Sequence, residues 1–87
     1  MLKEEKLINV ILMSLDKKVN YPIICKSSDK FTKIEEIFYE KFPEFNEDEN
    51  IFIVKGQKIN KNKTMEFNNI KYGDVITFYK ENNLKKN

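Results

Sequence analysis

The chain has no arginine, histidine, tryptophan or alanine, and one cysteine in 87 residues. Each absence closes off some chemistry. A lone thiol, Cys25, cannot form an internal disulfide. Without histidine, neither an imidazole–thiolate zinc site nor a Cys-His nucleophile can be assembled within the chain. Without arginine there is no side chain for bidentate phosphate or guanine recognition. All 16 basic residues are therefore lysine, and 14 Asp and Glu nearly balance them, leaving a net charge of +2. That balance gives no ground for a nucleic-acid partner. With two glycines and two prolines, there is no phosphate-cradling glycine loop. The expectation is a protein with no catalytic residues, no cofactor and no metal.

What is present is a single domain's worth of apolar residues. The longest apolar run, Leu7 to Leu15, follows Glu4 and Glu5, is interrupted by Asn9, and precedes no small-residue cleavage site, so it does not read as a signal peptide. It is also far too short to span a bilayer, so no membrane insertion is expected. The lack of disulfides suits a reducing compartment, which points to an intracellular, cytoplasmic or nuclear protein. Cys25 reads as a small buried hydrophobe rather than a reactive thiol.

The apolar periodicity sets the order of elements. Residues 7–14 read as a buried strand. Ser14 to Lys18 is a polar turn with Leu15 at its tip. Val19, Tyr21, Ile23 and Cys25 then alternate with Asn20, Pro22, Ile24 and Lys26, a second strand that forms a hairpin with the first. Pro22 lacks a ladder donor and predicts a sheet edge.

Beyond Ser27-Ser28-Asp29, Phe31, Ile34, Phe38 and Phe42 recur at helical spacing, with Ile37 and Tyr39 beside them. Thr32 and Glu35 have capping-box spacing, and Asp29 could cap one turn earlier. Pro43 ends the helix. Glu44 to Asn50 is read as an acidic, solvated connector. Ile51 to Lys55 is a third strand, with Gly56-Gln57 turning toward Ile59. In the Lys- and Asn-rich segment 60–69, Met65 and Phe67 are the expected anchors. Lys71 to Asp74 is a turn, and Val75 to Lys80 the last strand. The organisation is an N-terminal extension (1–6), a domain (7–80) and a polar basic tail (81–87).

Strand, strand, helix, strand, strand describes an α+β domain with one helix on one face of a mixed sheet of four or five strands. Over 7–80 it resembles the ubiquitin-like β-grasp family. The resemblance lies in the hairpin, Ser28-Asp29-x-Phe31 opening the helix, the proline after it, the stretch Ile51 to Ile59 with its Lys55-Gly56, then Lys63-Thr64-Met65, Asn69-Ile70 and Gly73-Asp74-Val75-Ile76. It implies that the last strand lies beside the third. Phe52, Val54, Ile59, Ile76 and Phe78 then face the helix residues Phe31, Ile34 and Phe38.

The outer positions are then Ile51, Ile53, Lys55, Thr77 and Tyr79. By resemblance, Ile53 matches the central isoleucine of the family's partner-binding patch and Leu15 its loop leucine. Leu15, Ile51, Ile53, Lys55, Gly56, Thr77 and Tyr79 are thus the expected partner-binding residues. The implied function is a non-enzymatic interaction module that is a monomer when isolated. It would dock protein partners such as ubiquitin receptors. The alternative is a small structural subunit of a larger complex, with the same face permanently buried. Conjugated members end in two glycines; here no glycine follows Gly73, so a non-conjugated type is expected. Lysine-linked chain building is not expected either, since Gln57 and Tyr72 stand at two of the matching lysine positions.

Overall fold

The computed structural model describes residues 6–47 and 49–81. Most of the N-terminal extension, Asp48 of the acidic connector and nearly all of the basic tail lie outside the described residues. Five strands form one mixed sheet: β1 (Leu7–Ser14), β2 (Asn20–Lys26), β3 (Asn50–Val54), β4 (Gln57–Lys58) and β5 (Val75–Lys80). The spatial order is β2-β1-β5-β3-β4. Only β1 and β5 pair in parallel; the other neighbours are antiparallel. β2 is an edge strand, where the missing N–H of Pro22 is harmless.

Helix α1 (Phe31–Lys41) covers one face of the sheet. Of its buried residues, Phe31, Ile34 and Phe38, the two phenylalanines meet the sheet aromatics directly. The Phe31 and Phe52 rings lie 4.9 Å apart edge to face, as do those of Phe38 and Phe78, the geometry that the ring quadrupoles favour. Ile8, Val10, Leu12, Ile23, Cys25, Val54, Ile59, Met65, Ile70 and Ile76 complete this core. All of the residues expected on the inner face are there.

Three local expectations are corrected. The helix begins without a side-chain cap: Lys30 is the N-cap residue and makes no side-chain capping bond. The first-turn donors are satisfied tertiarily instead. Phe31 N–H donates to the Lys63 carbonyl at 3.0 Å and Thr32 N–H to that of Lys61 at 3.2 Å. Asp29 is engaged elsewhere, accepting from Lys26 N–H at 2.9 Å and pairing with Lys33 at 3.5 Å.

The connector after the helix is ordered, not merely solvated. Pro43–Glu47 form a 3-10 turn that lays Phe45 against Phe38 and Phe78, at 5.7 and 5.4 Å. Asn50 is 2% exposed and opens β3. It donates to the Phe45 carbonyl and to the Tyr39 hydroxyl, at 2.8 and 2.9 Å. An aromatic able to reach the core outweighs the solvation of its acidic neighbours. Finally, Met65 is a fully buried anchor, but Phe67 is exposed, with the Lys63 ammonium over its ring at 5.2 Å.

Candidate functional site

The face of the sheet opposite α1 is the candidate site, and strand register determines which residues share it. Ile53 stands opposite Thr77 on β5 and Lys58 on β4. Thr77 stands beside Met13 on β1, and Met13 opposite Asn20 on β2. The next row toward the start of β1 runs Val75, Ile11, Pro22. In the other direction Tyr79 stands opposite Ile51. Strand alternation places all of these on one side.

Leu15 extends this face from the β1–β2 turn, where it is 63% exposed. The turn is tightly held. Leu15 N–H donates to the Phe78 carbonyl at 3.0 Å, which fastens the turn to β5. The Ser14 hydroxyl accepts from Val19 N–H and donates to Asp16 at 2.6 Å. That bond, with another from Lys18 N–H, holds the Asp16 carboxyl below its ordinary range. Lys17 closes the turn at φ 66°, a left-handed conformation that costs a side-chain-bearing residue about 1–2 kcal/mol.

The other expected site residues divide by what they offer. Ile53, Thr77 and Tyr79 are half-buried and face outward. Ile51 faces the same way but is only 8% exposed, so it presents little surface. Lys55 is committed within the chain: its ammonium donates to the Asn69 carbonyl at 2.7 Å and pairs with Asp74 at 3.2 Å. Lys55 and Gly56, at φ 52° and 77°, make the two-residue turn into β4, which demands positive φ at both positions.

The outer face is wider than the sequence reading allowed. Ile11 and Met13 on β1 are half-buried outward residues, Ile24 on β2 is 69% exposed, and Val75 on β5 is 42% exposed. None of the four is among the expected site residues. Residues 7–14 read as uniformly buried because five of the eight are large and aliphatic, and one polar residue, Asn9, was the sole sign of a second face. A strand with a neighbour on each side still has two faces, and a single helix covers one of them.

Among the described residues no constellation for bond-making chemistry appears. The Cys25 thiol is buried in the core and pushed up to about 11 by that burial, which keeps it protonated and unreactive. Tyr39 is also raised, chiefly by burial and further by its hydrogen bond to Glu35. Glu35 joins Tyr39 to Lys61 at 2.9 Å, a link between α1 and the loop after β4. Among the described residues no three of Cys, Asp and Glu are grouped to hold a metal ion, and no helix is long and apolar enough to cross a membrane.

No family model and no curated protein matches the sequence. Among solved structures the chain is similar to a de novo designed protein based on ubiquitin, with a TM-score of 0.74 and 13% identity, covering 86% of this chain and 89% of that one. With one helix packed on a five-stranded mixed sheet, the chain has the ubiquitin-like β-grasp fold.

Proposed function

We propose that this chain is a non-enzymatic protein-interaction module that docks a partner through the outer sheet face around Ile53. The observation that carries the reading is the contrast of faces. The same β3 and β5 strands bury Phe52 and Phe78 under α1 and turn Ile53, Thr77 and Tyr79 outward with no element of the described chain over them. Contiguous exposed apolar surface on a small soluble domain marks a binding site more often than isolated exposed residues do. Leu15, held to β5 by the Phe78 carbonyl, supports the same reading. Such a surface suits a reversible contact at the small end of interface sizes.

The proposed partners are helical, ubiquitin-receptor-like segments, and the domain acts as a monomer. The last glycine in the sequence, Gly73, lies in the turn before β5. A buried, unpaired thiol favours an intracellular setting. The test is titration of the chain with a helical ubiquitin-receptor peptide. Ile53→Ala should weaken binding about tenfold, in line with the loss of one apolar contact. Binding unaltered by that change would refute the reading. Insolubility of the chain without a neighbouring subunit would favour a permanently buried face instead.

A further inference from the structure

We propose that the cavity at the end of the sheet where β1 begins and β2 ends binds a small amphipathic carboxylate. The proposal is independent of the outer face around Ile53. Three segments build the walls: the start of β1, the turn after β2, and the loop between β4 and β5. The cavity measures about 510 Å³, a size common among small-molecule sites. Two large apolar side chains that are mostly in water, Leu7 at 65% and Tyr72 at 73% exposed, border it. The buried Ile8 and Ile70 give it an apolar floor.

The walls are fixed to one another before any ligand arrives. Ser27 N–H donates to the Lys6 carbonyl at 2.9 Å, which closes the end of β2 onto β1. Glu66 N–H donates to the Ser27 carbonyl at 2.9 Å, which fastens the loop to the turn after β2. Gly73 N–H donates to the Asn9 carbonyl at 2.7 Å, which fastens the far end of the loop to β1. Each pair of walls is thus joined by a backbone hydrogen bond, and a ligand has little ordering left to impose. The cavity is also remote from the proposed docking face. Met13 shares a row with Thr77 and Ile53, and Leu7 lies about 20 Å further back along β1.

The choice of a carboxylate follows from the charged residues that line the cavity: Lys6, Lys71 and Glu66. Two ammonium groups stand against one carboxylate, and all three side chains are on the exposed rim. None of them forms an ion pair with another described residue. The carboxylates nearby in the chain are engaged elsewhere. Asp74 pairs with Lys55 at 3.2 Å and accepts from Lys71 N–H at 2.8 Å. Asp29 pairs with Lys33 at 3.5 Å and accepts from Lys26 N–H at 2.9 Å. The Ser27 and Ser28 hydroxyls also line the cavity and bond to no described residue, so they can donate to a carboxylate's remaining lone pairs. An amine would meet two like charges, and a phosphate would bring a second negative charge beside Glu66. A monoanion with an apolar tail matches both the rim and the floor.

The experiment uses the full chain, isotope-labelled for amide shift mapping. The probe is phenylpropionate, and phenylpropylamine is its twin of opposite charge. The expected result is binding at about 1 mM, as suits a ligand of about eleven non-hydrogen atoms. Shifts should centre on Leu7, Ser28, Ile70 and Tyr72 and leave Ile53 unmoved. The amine should bind about tenfold more weakly. Lys71→Gln should weaken binding of the acid about threefold, and Glu66→Gln should strengthen it by about the same factor. Tyr72→Ser should weaken it about fivefold and leave the unfolding midpoint unchanged, because Tyr72 is already mostly in water. Equal binding of acid and amine, or no response to either charge substitution, would overturn the choice of a carboxylate. Shifts spread over lysines across the surface would mark non-specific association and overturn the site. Binding that appears only after removal of residues 1–5 would give the cavity to the chain's own N-terminus and overturn the proposal. None of these results touches the outer-face reading, and unaltered peptide binding by Ile53→Ala would leave this cavity's assignment standing.

Discussion

Phe52 and Ile53 are neighbours in the chain and opposites in the fold. Phe52 is 1% exposed, edge to face with Phe31 and in contact with Phe78. Ile53 is half-buried, between Thr77 and Lys58, with nothing of the described chain above it. The contrast holds across the sheet. On the inner side the buried apolar strand residues share one core cluster with Phe31, Ile34 and Phe38 of α1 and with Met65 and Ile70, and Phe45 of the 3-10 turn packs against it. On the outer side Ile11, Met13, Ile53 and Tyr79 stay half-buried and Ile24 and Val75 exposed; of the outward residues on β3 only Ile51 is largely covered. Hydrophobicity therefore does not distinguish structural from binding residues here. What distinguishes them is whether the chain supplies its own cover.

The largest break in this contrast should come from the covered side. Phe52→Ala should cost about 3–5 kcal/mol by denaturant unfolding, because it empties a site packed by two other rings. A cost near zero would mean that the faces have been assigned backwards. Next is an alkaline effect confined to the core. The folded protein holds the Cys25 proton to about pH 11, whereas the unfolded chain releases it near the ordinary value of 9.0. The folded state thus binds more protons across that interval. Stability contributed by this group is full below about pH 9 and is lost as pH rises toward 11, a fall on the order of 2 kcal/mol. Comparison with Cys25→Ala, which should lack this portion of the slope, isolates it from the other titrating groups.

On the uncovered side the effects on folding should be small. Ile53→Ala should change unfolding by less than about 1 kcal/mol while weakening partner binding, the reverse of Phe52→Ala. The smallest expected change is in the turn that presents Leu15. Lys17→Gly relieves the left-handed backbone at φ 66° and should raise stability by about 0.5–1 kcal/mol after glycine's own entropy cost. A loss of stability there would mean that Lys17 makes a contact that outweighs its strain.

Much of the fold was legible in the chain. The alternation Tyr21, Ile23, Cys25 and the helical spacing Phe31, Ile34, Phe38 are local signals, and the structure follows both; the turn expected at Gly56-Gln57 falls one residue earlier, at Lys55-Gly56, with Gln57 already in β4. The edge position of β2 was legible from Pro22 alone. The failures share a cause. Asp29 and Thr32 have good capping chemistry, but the carbonyls of Lys61 and Lys63, about thirty residues away in the chain, reach the helix N-terminus instead. Phe45 looked solvated among acids until the helix and β5 brought Phe38 and Phe78 to it. Phe67 looked like an anchor, yet Met65 two residues earlier occupies the core position.

Of the candidate site, orientation was legible and accessibility was not. Period-two alternation assigned Ile51 and Ile53 to the same side, but their exposure differs because their surroundings come from other strands. The breadth of the face on β1 and β2 was hidden for the same reason.

Sequence alone determined the element order and the absence of histidine- or arginine-based chemistry, because these depend on residue identity and short-range periodicity; which strand face meets the helix was implied by the resemblance to the ubiquitin-like family. Tertiary structure alone decided which outward apolar residues stay in water and how the helix is capped. Burial and electrostatic surroundings come from residues distant in the chain, and only folding brings those residues together.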